Sequence, residues 1–346
     1  MSAKAILSWV TLGLVVLIVF FSRHELVHAW ALLQSINLAV LLLLIPMQLV
    51  AYYAAGETIF SYIRNSKKSF NRVSRPELAR MALELNFVNH ILPSGGVSGL
   101  SYMSWRLGRF GVSPGRATAA QAVRYIAGFI ASIILILIAV IAVTIDGHIN
   151  RWIILVSSGI VFFMIVGTMA MVFLVSNESR MTRFAHWLTK TLNHWAYKLT
   201  KGKRRVIVHE APLLVFFGEM HEDYRELQGN WRVLIKPLLW ALLFTVAEAA
   251  LFVITFWALG TPVNPAPILI AYCLASVAGF IVVTPGGAGA YEAIMVAFLT
   301  VAGISSGVAI AGIVLSRVVI LLTTIGCGYI FYQHTLLRYG KNKTTF

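Results

Sequence analysis

Six apolar runs, at residues 6–21, 36–63, 117–145, 152–175, 233–259 and 307–336, take up nearly half of the chain and leave it few folds to choose from. Several supply the roughly 20 apolar residues with which a helix crosses the hydrocarbon core of a bilayer. Backbone in lipid has to satisfy its amide and carbonyl groups internally, and a helix does so within one segment. The expected fold is an all-α polytopic membrane protein. Only 12% of the residues are charged and 59% are hydrophobic, against about 25% charged in a soluble domain. The run at 6–21 follows a single Lys4 and no small-residue cleavage site comes after it, so it reads as a retained first span.

Two further apolar stretches, 77–111 and 267–302, are broken in the middle, at Pro93-Ser94-Gly95-Gly96 and at Pro285-Gly286-Gly287-Ala288-Gly289. The Lys and Arg residues behind the net charge of +15 cluster at 64–80, 180–205 and 334–343, while 146–151 and 260–266 are nearly neutral. That is the positive-inside pattern, which puts the basic segments and both termini in the cytoplasm of an inner-membrane protein and offers cations to anionic lipid headgroups. It accounts for the charge without a nucleic-acid partner. With this sidedness the first broken stretch enters and leaves on the cytoplasmic side and the second on the outer side. Each is expected to be a re-entrant helical hairpin.

The two stretches are related. Sliding the chain by 192 residues aligns Pro93, Gly95, Met103, Leu107, Gly111, Ser113, Gly115, Ala117 and Ala119 with Pro285, Gly287, Met295, Leu299, Gly303, Ser305, Gly307, Ala309 and Ala311, with no gap. The same offset lays span 36–63 on span 233–259. An odd number of crossings separates the copies, so the expected organisation is a single transmembrane domain over 1–346. Its inverted repeats occupy 36–145 and 233–336, with a cytoplasmic amphipathic segment at 176–232 between them. Within that segment Met181, Phe184, Leu188, Leu192, Trp195 and Leu199 recur at helical spacing, which suits a helix lying on the membrane or packed on its own protein.

Broken helices at equivalent places in inverted repeats point to a transport site near the bilayer midplane. A break leaves backbone groups unpaired, so it survives only where protein or a water-filled cavity covers it. Glycine lets a ligand approach the backbone, and proline suits the first turn of the helix that follows. Free N–H groups and a positive dipole end then face the cavity, an arrangement that favours a phosphate or carboxylate. Pro93, Ser94, Gly95, Gly96, Pro285, Gly286, Gly287 and Gly289 are therefore candidate substrate-binding residues; the alternative is a pair of packing kinks. Ionisable residues at membrane depth are costly and few: Glu57, Glu84, His90, Arg124, Glu248, Glu292 and Arg317. Arg124 and Arg317 fall one residue out of register between the copies, as do Glu57 and Glu248. An arginine there suits an anionic headgroup by bidentate hydrogen bonding. Glu292, in the first turn after the second break, completes the binding set, and Glu57, His90 and Glu248 are candidates for coupling or gating. Structural Arg–Glu pairs locking helices together are the alternative.

His24-Glu25-Leu26-Val27-His28 matches the H-E-x-x-H of zinc proteases, in which two imidazoles one turn apart bind the metal and the carboxylate acts as base. A zinc site needs a third ligand, and Asp146, the one acid of the 145–148 segment, lies in weak context for one. The motif follows a span rather than lying within one, and a protease would leave the repeat and both breaks unexplained. No metal is expected, and the His and Glu residues of 206–232 read as a solvated face. Cys273 and Cys327 lie in apolar runs, as small buried side chains do. No G-x-x-x-x-G-K-[ST] is present, so neither ATP hydrolysis nor any cofactor is expected.

The segments FVNHILPSGGVSGLSYMSWRLGRFGVS and VVTPGGAGAYEAIMVAFLTVAGIS, the latter followed by LSR, resemble the paired motifs of the lysylphosphatidylglycerol synthase transmembrane-region family, a flippase-like domain. The resemblance spans nearly the whole chain. It implicates Pro285, Gly286, Gly287, Gly289, Glu292 and Arg317, with Pro93, Gly95 and Gly96 in the first copy. It implies a non-enzymatic lipid transporter for an anionic, aminoacylated or polyprenyl-linked lipid, without the soluble aminoacyltransferase domain that other members carry. Membrane lipids are the expected partners. A separate lipid-modifying enzyme, to which the chain would present lipid, and a second copy of the chain are further partners the resemblance leaves open.

Overall fold

A computed structural model describes residues 36–66, 68–91, 97–145, 151–199, 214, 218, 221, 222, 224, 225, 227–281 and 289–339. Every element among them is helical: α1 (Leu38–Leu41), α2 (Leu44–Ser66), α3 (Arg75–Ile91), α4 (Val97–Gly108), α5 (Pro114–Ile145), α6 (Arg151–Val175), α7 (Glu178–Leu199), α8 (Ile235–Ala258), α9 (Pro265–Ile281), α10 (Ala290–Val301) and α11 (Ser306–Tyr339), with short 3-10 turns at Lys68–Arg72 and Trp231–Leu234. Five helical stretches are long and apolar enough to cross a membrane: Leu38–Asn65, Pro114–Ile145, Ile154–Val175, Trp231–Ala258 and Ser306–Arg338. The all-α polytopic architecture read from hydropathy is the one observed. The sixth run, 6–21, the His24-Glu25-His28 motif, and the two breaks from Pro93 to Gly96 and from Pro285 to Ala288 lie outside the described residues.

The two halves are assembled by one plan. In the first, α2 packs on α3 and α5, α3 on α4, and α4 on α5; in the second, α8 packs on α9 and α11, α9 on α10, and α10 on α11. The halves meet along α2 and α8, the most extensive helix pair in the molecule, and each lends its first short helix to the other: α3 lies on α11 and α9 on α5. Close approach is purchased with glycine. A Cβ on Gly56 would stand 2.5 Å from the Ala82 Cβ, and one on Gly328 would stand 2.4 Å from the Phe87 Cβ. Lipid gives helices no hydrophobic reason to associate, so this close van der Waals packing is what holds them.

The offset of 192 residues reappears in backbone detail. α4 ends with Gly111 at φ +72°, and its equivalent Gly303 after α10 stands at φ +94°. The Gly111 N–H donates to Gly108 O and that of Val112 to Leu107 O; Gly303 donates to Thr300 O and Ile304 to Leu299 O. A left-handed residue closing a helix in this way is a glycine position, because a Cβ would crowd the carbonyl. The next helices, α5 and α11, start at equivalent positions, and their first turns close by the same bond, Ala117 to Ser113 O and Ala309 to Ser305 O, at 2.9 Å in each. Met103 and Leu107 are fully buried, as are Met295 and Leu299.

Outside this double unit α6 packs on α5 and shows Phe162, Phe163, Met169 and Phe173 on its outer side. The amphipathic helix α7 sets Met181 and Ala185 against Val175, Leu214 and Tyr224, so part of its apolar face is covered by the protein itself. His221 Nδ1–H donates to Val175 O, 2.8 Å away, on the same side.

Candidate functional site

The site is built where the second break ends. Gly289, at φ +89°, opens α10, and its N–H donates to Glu292 Oε2 at 2.6 Å. A carboxylate in this third position caps the turn and lies at the positive end of the helix. The other oxygen, Oε1, accepts from Arg317 Nε of α11, also at 2.6 Å. Arg317 continues over the face of Tyr291, 4.6 Å from its centroid, and Tyr291 stacks on Phe252 of α8. One carboxylate thus ties the end of the break to a long helix.

Arg317 lies roughly 16 Å along α11 and Arg124 a similar distance along α5, at 1.5 Å per residue; both are well inside the membrane-crossing stretches. Glu248, in the middle of α8, is within electrostatic range of both guanidinium groups. His90, near the end of α3, is within range of the same two, and its Nδ1 is 2.8 Å from Asn86 O. The pair Glu292 and Arg317 retains 21% and 18% of its side-chain surface, which leaves room for a ligand to reach it. On its other side Arg124 reaches a cleft of about 110 Å³ shared with Thr245, Tyr272 and Ser276.

Arg124, His90, Glu248, Glu292 and Arg317 therefore form one electrostatic cluster drawn from α3, α5, α8, α10 and α11, and Gly289 borders it. Two of these elements, α5 and α11, occupy reciprocal positions in the two halves. Glu57 is elsewhere. It is buried on α2 and paired with Arg64, two turns on along the same helix face, rather than with Arg124 or Arg317. Pro93, Ser94, Gly95, Gly96, Pro285, Gly286 and Gly287 fall outside the described residues.

Sequence reasoning missed a polar layer beside the cluster. Gln48 Nε2 donates to Tyr52 Oη (2.8 Å), to Ile320 O (2.9 Å) and to Thr324 Oγ1 (3.0 Å), joining α2 to α11. Tyr52 lies 6.1 Å from the His90 ring and within range of Glu248 and Arg317. Gln48 and Tyr52 stand one turn apart on a membrane helix, a signal that a search restricted to charged residues passes over. Nor was Arg106 singled out among the ionisable residues at membrane depth. Arg106 is 1% exposed and pairs with Glu77 and with Glu84 of α3. Tyr102 and Thr335 also donate to Glu84, so α3, α4 and α11 are clamped through one carboxylate.

Chemically, the cluster presents two guanidinium groups, a chemistry suited to an oxyanion, and one of them, Arg317, is paired with the Glu292 carboxylate. Among the described residues no group of three or more His, Cys, Asp or Glu side chains is arranged to hold a metal.

Comparison with known proteins bears on the whole chain. A UPF0104 membrane protein of Methanothermobacter thermautotrophicus is 22% identical over 249 residues, covering 71% of this chain and 72% of its own. The family model described as the lysylphosphatidylglycerol synthase TM region matches residues 4–328. With five helices among the described residues long and apolar enough to cross a membrane, and with this family match, the chain is an integral membrane protein and belongs to the lysylphosphatidylglycerol synthase transmembrane-region family.

Proposed function

We propose that the chain is a lipid transporter of the inner membrane, moving a lipid with an anionic or aminoacylated headgroup, or a polyprenyl-linked one, between leaflets without chemical change. The observation that carries the reading is the half-open Glu292–Arg317 pair at the end of the second break, with Arg124 and Glu248 within its field. A charged residue at membrane depth is retained for a pathway or a partner. Here the partner is a phosphate or carboxylate of the cargo, taken up by Arg317 and Arg124 while Glu292 and Glu248 release them.

Alternating access follows from the two halves rocking on the α2–α8 contact, with the broken segments from Pro93 to Gly96 and from Pro285 to Gly289 serving as oppositely facing re-entrant gates. His90 and Glu248 are placed to follow the charge state of the arginines, which suits a coupling role. The test is the outer-leaflet lipid composition, read by membrane-impermeant labelling and mass spectrometry, in cells with the native protein, without it, and with Glu292→Gln or Arg317→Ala. One lipid class is expected to leave the outer leaflet at constant total amount in the deletion and in both variants. A deletion that alters the total and not the distribution would refute transport and favour lipid presentation to a modifying enzyme.

A further inference from the structure

The largest basic cavity of the described residues lies away from the central cluster, at the basic end of α2 and α8. It measures about 1060 Å³ and gathers Arg64, Arg75, Arg232 and Lys236 against one acid, Glu57. Arg232 and Lys236 are exposed side chains, whereas Arg64 is held by Glu57 through two hydrogen bonds, one of them 3.2 Å long. Deeper in the wall, Ser61 is 5% exposed, and its hydroxyl has no hydrogen-bond partner among the described residues. A buried hydroxyl left unpaired is costly, and a ligand oxygen would satisfy it.

One side of this chamber is apolar and opens outward, with Leu239 59% and Leu243 40% exposed. There it meets a second cavity of about 400 Å³, lined by Leu49, Val50, Ala79 and Leu83. Tyr53, Trp240 and Leu243 belong to both. The Tyr53 and Trp240 rings, edge to face at 5.8 Å, form the neck between them. Leu49 and Val50 are a turn farther from the basic end than Tyr53, so the groove runs from the charged chamber toward the apolar middle of the span.

We propose that this two-part cavity is a docking site for an anionic membrane phospholipid. Its headgroup sits among Arg64, Arg75, Arg232 and Lys236, with an ester or phosphate oxygen on Ser61, and one acyl chain lies in the groove past Tyr53 and Trp240. Both ends are needed: four cations facing one acid select an anion, and the contiguous apolar groove selects one that carries a chain. Glu57 is the resident counter-ion, which keeps Arg64 neutralised in the empty site and gives it up when phosphate arrives. The site stands independently of transport, since none of its residues belongs to the Arg124, Glu248, Glu292 and Arg317 cluster.

The experiment is equilibrium binding of short-chain phosphatidylglycerol and of phosphatidylcholine to the full purified chain in dodecyl maltoside, followed by native mass spectrometry. Phosphatidylglycerol is expected to bind more tightly. Arg232→Gln with Lys236→Gln, both on exposed positions, should weaken it about 30-fold while leaving phosphatidylcholine unchanged, at roughly one unit of binding energy per basic side chain near the lipid surface. Glu57→Gln should tighten it several-fold through the freed Arg64, a gain that loss of folding cannot imitate. In an Arg317→Ala background the same double substitution should bring the same loss, so this site and the transport reading fail separately. Equal affinity for the two lipids, or an unaltered double variant, would overturn the proposal. So would displacement by glycerol 1-phosphate at the concentration of the lipid, which would make this a site for soluble phosphates.

Discussion

The first and second halves of the molecule each hold a carboxylate against an arginine, and they do it in opposite environments. In the first, Glu84 and Arg106 are 0% and 1% exposed, and Glu77, Tyr102 and Thr335 fill the remaining hydrogen-bonding positions. In the second, Glu292 and Arg317 keep about a fifth of their surface, and the acid is shared with the Gly289 amide. A sealed pair cannot exchange partners without stranding a buried charge. A half-open pair can exchange wherever an oxyanion replaces what the arginine loses. The same two kinds of side chain thus form a sealed clamp in one half of the molecule and, in the transport reading proposed above, a receptor in the other, and their surroundings make the difference.

The comparison is open to attack in order of expected effect. Glu84→Ala should cost about 3–5 kcal/mol, as removal of one member of a buried pair does, and is read as a large loss of folded protein in thermal melts in detergent. Arg317→Ala, by contrast, should melt within about 1 kcal/mol of the native protein, as exposed pairs allow, while lipid redistribution is abolished. If instead Arg317→Ala unfolds the protein and Glu84→Ala abolishes redistribution in a stable one, the assignment of clamp and receptor is inverted. The matched turns supply an internal calibration. Gly111→Ala and Gly303→Ala should each destabilise by roughly 1–2 kcal/mol, because both place a Cβ in the left-handed region, and unequal losses would show that the halves are less alike in energy than in geometry. Last, Glu292→Gln keeps an acceptor for the Gly289 amide and loses the charge that faces both the helix start, about 0.3–1 kcal/mol, and Arg317, up to about 1 kcal/mol. Its melting point should fall only modestly.

Much of the fold was legible before any coordinates. Spans emerged from run length alone, since a membrane leaves the backbone few options, and the repeat emerged because Gly111 and Gly303 are glycines for a conformational reason that any copy must retain. α7 was legible as amphipathic but ambiguous in partner, because a Met181 and Ala185 face suits lipid and protein equally. The partners of Glu57 and Arg106 were not legible, for a shared reason. A charge at membrane depth announces that it needs a partner, and spacing along the chain does not say which one.

What the sequence determined by itself was the class of fold, the number and limits of the described spans, the doubling of the chain at an offset of 192 residues, and the short set of residues too costly to be in lipid without purpose. Those properties depend on local chemistry, on helical run length, on glycine, and on the price of a buried charge. Only the tertiary structure decided that Arg317 meets Glu292, that Arg106 is sealed by Glu84, that Arg64 belongs to Glu57, and that a basic chamber at one end of α2 opens into an apolar groove. Pairings and cavities are made by side chains from distant helices brought within a few ångströms. Their energies depend on how much water remains between them, a quantity that no single segment of the chain contains.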